Sequence, residues 1–117
     1  MSLFQWLKNA GAGSQQPAIL IHESPDKPAV RRRYCFYGRV QGVGFRYEAM
    51  GIASRLSLVG WVKNKYDGSV VIEIEGAPNY IDSFIVAIRA VPRFDITEIK
   101  MENLPPLRDE TSFKLLY

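Results

Sequence analysis

The sequence has little with which to build a metal centre or a covalent nucleophile. Among 117 residues there is one cysteine, Cys35, and one histidine, His22. A lone cysteine closes no intrachain disulfide, which suits a reducing cytoplasm. Cys35 reads as a structural or unreactive thiol. No His, Cys and carboxylate grouping has metal-ligand spacing, and neither a metal nor another cofactor is expected. No apolar run approaches the roughly 18 residues that cross a bilayer. Leu3 to Leu7 is too short for the core of a signal peptide, and no membrane partner is expected. No repeat at a solenoid period is present.

Charge of one sign is scarce where the chain reads as folded. Net charge is +3, with a pI near 9.1, which taken alone invites a nucleic-acid partner. Residues 1–33, however, carry five basic side chains against two acidic ones, and the remaining 84 carry ten of each. The excess belongs to the start of the chain and to Arg31-Arg32-Arg33. Residues 1–30 form an extension with linker chemistry, Gly11-Ala12-Gly13-Ser14-Gln15-Gln16-Pro17, punctuated by Pro25 and Pro28. Ala18 to Ile21 has the composition of a short strand, and Leu3, Phe4, Trp6 and Leu7 that of one amphipathic helical turn. A flexible tail is one reading of this extension. A partner-docking or membrane-surface segment is the other.

From Arg33 onward, residues 33–117 read as one domain. Tyr34 to Val40 is a strand, broken by Gly38, Gly42 and Gly44. Phe45, Ala49, Ile52, Ala53 and Leu56 mark one face of a helix. Val59 to Lys65 and Val70 to Glu75 are two strands joined by a Tyr66-Asp67-Gly68 turn. On the latter strand Glu73 and Glu75 read as solvent-facing charges, while Trp61 and Val62 read as packing residues. Asn79 is a candidate N-cap for a second helix, faced by Ile81, Phe84, Ile85 and Ile88 and ended by Pro92. Ile96 to Asn103 and Phe113 to Tyr117 are the last strands, either side of Pro105-Pro106. The order predicts an α+β, ferredoxin-like βαββαβ sandwich, an antiparallel sheet with two helices on one face. Its core is expected to hold Phe45, Ala49, Ile52, Ile81, Phe84 and Ile85.

The connection between the first strand and the first helix carries the chemistry. Gly38-Arg39-Val40-Gln41-Gly42-Val43-Gly44-Phe45-Arg46 lets backbone N–H groups converge beside a helix N-terminus, an anion cradle. Arg46 opens the helix, where a cation is mildly unfavourable for the dipole; an anion bridging it to the backbone donors explains the placement. A plain glycine turn followed by a surface arginine is the alternative. Asn64, at a strand end, is either a turn former or a group that holds a water by donating and accepting together. The loop lacks the Gly-Lys-Ser/Thr ending of a nucleotide-binding loop. Phosphate chemistry without a metal, nucleophile or imidazole base needs a good leaving group, and the carboxylate of an acyl phosphate qualifies.

Two segments, in order, carry a family resemblance. Gly38 to Arg46 resembles the G-x-V-Q-G-V-x-F-R loop of acylphosphatases, and Gly60-Trp61-Val62-Lys63-Asn64 with Gly68, Val70 and Gly76 fits their second pattern. Phe36 departs conservatively, and the extension departs more. The resemblance implies a metal-free hydrolysis of an acyl phosphate to carboxylate and inorganic phosphate. It implies that Arg46 and the backbone of Arg39, Val40, Gln41, Gly42 and Val43 bind the phosphoryl oxygens and that Asn64 orients the attacking water. The expected protein is a cytoplasmic monomer with a small-molecule substrate. The rival is a non-catalytic accessory domain binding phosphate or carbamoyl phosphate. An RNA-binding role is disfavoured, because the third strand lacks aromatics and carries two glutamates.

Overall fold

The computed structural model describes residues 24–117. The short strand expected over Ala18 to Ile21 and the helical turn expected over Leu3 to Leu7 lie outside them. The elements are β1 (Val30–Arg39), α1 (Phe45–Arg55), β2 (Val59–Asn64), β3 (Val70–Gly76), α2 (Pro78–Arg89), β4 (Asp95–Leu104) and β5 (Phe113–Leu116). They make one sheet in the order β4-β1-β3-β2-β5. The first four strands pair antiparallel, as expected. The last joins β2 in parallel, so the sheet is mixed at one edge.

Alternation along the strands sends Tyr34, Phe36, Val62, Val70, Ile72 and Ile74 to one buried layer. Helix α1 covers it with Phe45, Ala49, Ile52 and Ala53, and α2 with Ile81, Phe84, Ala87 and Ile88. The helices touch each other and the same side of the sheet. Ile85, expected inside, is only half-buried. At 3.6 residues per turn the stripe centres between Phe84 and Ile88, leaving Ile85 and Ala87 at its two borders, and the small Ala87 is the side that packs down. Asn79 is not the N-cap. Pro78, with its fixed φ and missing N–H, starts α2 two residues earlier, so the cap position falls on Ala77. Asn79 instead donates to the Ser24 carbonyl at 3.0 Å and accepts from the Asp26 N–H at 3.3 Å. The Asp26 carboxylate in turn accepts the Asn79 N–H at 3.4 Å.

The largest departure lies on the face away from the helices. Strand β1 begins at Val30, ahead of Tyr34, and takes the arginines into the sheet. Arg31 stands opposite Glu75, and Arg33 lies between Glu73 and Glu102. Glu73 and Glu75 are therefore buried rather than solvent-facing. Arg31, only 1% exposed, donates to Glu73 at 2.9 Å and Glu75 at 3.2 Å, and also to Glu110. Arg33 donates to Glu73 at 2.6 Å and Glu102 at 3.0 Å. Glu75 also accepts the N–H groups of Leu107 and Arg108 at 2.8 and 3.0 Å, which ties the β4–β5 connection across this face. Burial alone would raise both glutamate pKa values. Hydrogen bonds from Arg33 and Arg31 hold Glu73 below the usual carboxylate range, and those from Leu107, Arg108 and Arg31 do the same for Glu75. A propensity reading sees charged residues and places them in water. Only the register reveals that each has an opposite-charge partner across the strand.

Candidate active site

Strand β1 ends at Arg39, still in ladder with Asp95 of β4. The chain then turns over five residues into α1, whose second residue is Arg46. Val40 is fully buried and anchors the turn. Gly42 and Gly44 have φ of +73° and +82°, a conformation that L side chains resist. A Cβ on Gly42 would meet nothing within 4 Å, so this glycine leaves open room rather than avoiding a clash.

Not all of the expected phosphoryl donors are free. The Val40 N–H is already donated to the Gly38 carbonyl at 3.1 Å. Arg39 belongs to the sheet. Among the described residues no acceptor takes the N–H groups of Gln41, Gly42, Val43 or Gly44. Four successive free donors next to a helix start make a concave anion site.

Gly42, Gly44, Val40, Phe45, Arg46, Tyr47 and Asn64 line a cavity of about 120 Å³. At about 30 Å³ per water, that is the scale of one phosphoryl group and a water. Arg46 and Asn64, 18 positions apart in sequence, share this cavity because β2 ends beside the loop. Arg46 donates through Nη1 to the Leu116 carbonyl at 3.0 Å, and its guanidinium stands 5.0 Å from the Tyr117 ring centre. Its remaining nitrogens have no acceptor among the described residues. A hydrogen bond with Tyr47 pushes the Tyr117 phenol up, against a smaller opposing effect of Arg46.

Asn64 Oδ1 is buried and has no hydrogen-bond partner. Such an atom costs free energy unless something outside the chain satisfies it. Arg31 Nη2 and Arg32 Nε are also buried without a hydrogen bond, but their guanidinium groups are otherwise engaged. Arg31 Nη2 lies within 2.9 Å of Glu73, and Arg32 holds Asp82 and Tyr34. The Asn64 side chain makes no hydrogen bond among the described residues.

A family model described as Acylphosphatase matches residues 32–115. The chain belongs to the acylphosphatase family. An acylphosphatase of Clostridium beijerinckii is 43% identical over 81 residues, 68% of this chain and 90% of that protein. One of Bacillus subtilis is 41% identical over 81 residues, 68% of this chain and 89% of that protein. The crystal structure of acylphosphatase from Bacillus subtilis superposes with a TM-score of 0.71 at 38% identity, over 75% of this chain and 99% of that one. Full-length HypF in its phosphate- and nucleotide-bound form superposes with a TM-score of 0.70 at 30% identity, over 83% of this chain but only 13% of that one.

Acylphosphatases hydrolyse acyl phosphates, and that is the activity of this chain's family. Some of the site's supports escape a reading of the motif. The Gln41 side chain donates to the Lys65 and Ser69 carbonyls at 2.7 and 2.9 Å, clamping the loop to the hairpin that follows Asn64. Leu116 and Tyr117 reach Arg46 from the far end of the chain. None of these has a local pattern, because each acts through a contact made only on folding.

Proposed function

We propose that this chain hydrolyses acyl phosphates by holding the phosphoryl group between the Gln41 to Gly44 N–H groups and Arg46 while Asn64 aims the attacking water. The observation that carries this reading is that Asn64, whose buried Oδ1 has no partner, lines the same cavity as Arg46 and the loop glycines. Arg46 keeps Nε and Nη2 for two phosphoryl oxygens, since Nη1 is spent on Leu116. Asn64 Oδ1 accepts one water hydrogen and turns an oxygen lone pair toward phosphorus. The water oxygen bonds to phosphorus, the phosphorus–acyl oxygen bond breaks, and its electron pair leaves on the carboxylate. The water's protons end on inorganic phosphate and solvent. A carboxylate is a weak base, so no general acid is required. Fixed donors stabilise the charge spread over the phosphoryl oxygens in the transition state.

Metal ligands play no part in this scheme, and among the described residues no three His, Cys, Asp or Glu side chains group to hold a metal. Among them, too, no helix is long and apolar enough to cross a membrane. We place the protein as a monomer in a reducing cytoplasm, a reading supported by the single Cys35. The test is benzoyl phosphate hydrolysis by the purified full chain with and without EDTA, with inorganic phosphate as competitor. Turnover unchanged by EDTA and competitively inhibited by phosphate is the expected result. Phosphate binding with no turnover of either benzoyl or carbamoyl phosphate would favour the accessory-domain reading.

A further inference from the structure

We propose that Arg93, outside the cavity, is a positioning residue that aims the Gly44 N–H at the phosphoryl group. The inference rests on the loop being the phosphoryl site. Arg93 lies on the connection between α2 and β4. Its Nε donates to the Val43 carbonyl at 2.8 Å. Its Nη2 donates to Glu48 of α1 at 2.9 Å. Its guanidinium stands 4.9 Å from the Phe94 ring centre, and Phe94 is itself buried 4.9 Å from Phe45, the first residue of α1. Arg93, half-exposed, is thus held by two hydrogen bonds and by contact with a core ring.

The consequence follows from peptide geometry. In a trans peptide the C=O and N–H of one unit point in opposite directions. Holding the Val43 carbonyl outward, toward Arg93, turns the N–H of the same unit, that of Gly44, the other way. Gly44 lines the cavity, and neither Val43 nor Arg93 does. A guanidinium near an anion loop invites the reading of a second phosphate ligand. Its neutralising partner Glu48 and its place behind the loop argue against that. Donation into the carbonyl also polarises the peptide, making Gly44 N–H a stronger donor. Nothing in the sequence points to Arg93, which lies 47 positions after Arg46 and outside both motif segments.

The test uses the full chain and three variants, Arg93→Met, Arg93→Lys and Glu48→Gln. Amide shifts of the loop are followed during titration with inorganic phosphate, and KM and kcat are measured with benzoyl phosphate. In Arg93→Met the phosphate-induced shift of Gly44 should collapse while those of Gln41 and Gly42 persist. Phosphate inhibition and KM should weaken about tenfold, and kcat/KM should fall about 10- to 100-fold. Arg93→Lys should recover part of the Gly44 response through one remaining donor. Glu48→Gln, which keeps the bond to Val43, should stay within about threefold of wild type. An unchanged Gly44 response and phosphate affinity in Arg93→Met overturns the proposal. So does an equal loss of every loop shift, which would make Arg93 a ligand or a structural support. Wild-type loop amides that ignore phosphate would sink the phosphoryl site itself, and this role with it.

Discussion

Two arginine systems sit on the two sides of one sheet and are finished differently. On the open face Arg31 is 1% exposed and has three carboxylates around it. Glu75 there accepts from both backbone and side chain. At the loop end Arg46 spends one nitrogen on a carbonyl, four backbone N–H groups stand free, and Asn64 Oδ1 is buried without a partner. The first system closes on itself and ties down the β4–β5 connection. The second is left with unused bonding capacity at a cavity of molecular size. Burial and charge do not separate structure from function here; completeness of the hydrogen bonding does.

Substitutions sharpen that contrast. Arg46→Ala should lower kcat/KM for benzoyl phosphate by about 10³-fold or more with an unaltered circular dichroism spectrum. Arg46→Lys should recover little, because an ammonium lacks the planar fork. An Arg46→Lys enzyme near wild type would show that charge alone suffices. Asn64→Ala should cut kcat about 10²- to 10³-fold, with phosphate inhibition constants little changed. It should not lower stability in urea, since it removes an acceptor that nothing in the chain satisfies.

Glu75→Ala should do the reverse. It removes one of the three carboxylates around Arg31 and strands two N–H groups, and should cost about 3 kcal/mol in urea unfolding, with kcat/KM nearly unchanged. If Glu75→Ala were inactive but stable, the open face would belong to the site and the contrast would fail.

The same system predicts a pH dependence. In the folded protein Glu73 and Glu75 are held below the ordinary carboxylate pKa by their donors. Their contribution is therefore full above the unfolded carboxylate pKa and is lost as pH falls through the folded values. Urea midpoints measured from pH 6 down to pH 3 should drop more steeply for wild type than for Glu75→Gln, with the divergence below about pH 4.5. The smallest effect expected is that of Gln41→Ala. Loss of the clamp to Lys65 and Ser69 should lower kcat about tenfold, read in the same assay, while phosphate binding persists.

Much of this was legible in order along the chain. The alternating strands, the apolar helix face ending at Leu56 and the glycine-rich turn before Arg46 are local patterns, set by backbone sterics and side-chain period. Boundaries that depend on a distant partner were not legible. Strand β1 extends to Val30 because Glu73, Glu75 and Glu102 receive its arginines. Helix α2 starts at Pro78, with Asp26 brought to its first turn from the other side of the chain. The parallel pairing of β5 with β2 is likewise a choice of neighbour that no segment makes by itself.

The sequence by itself determined the βαββαβ order, the positive-φ loop and the two residues that reach the site, since periodicity, glycine and residue chemistry act over a few positions. Tertiary structure decided which polar groups are satisfied. It spent Glu73 and Glu75 on arginines, set Arg93 behind the loop and left Asn64 Oδ1 unpaired. Hydrogen bonding is a property of pairs, and the pairs that matter here lie tens of residues apart, so they exist only once the sheet has brought them into register.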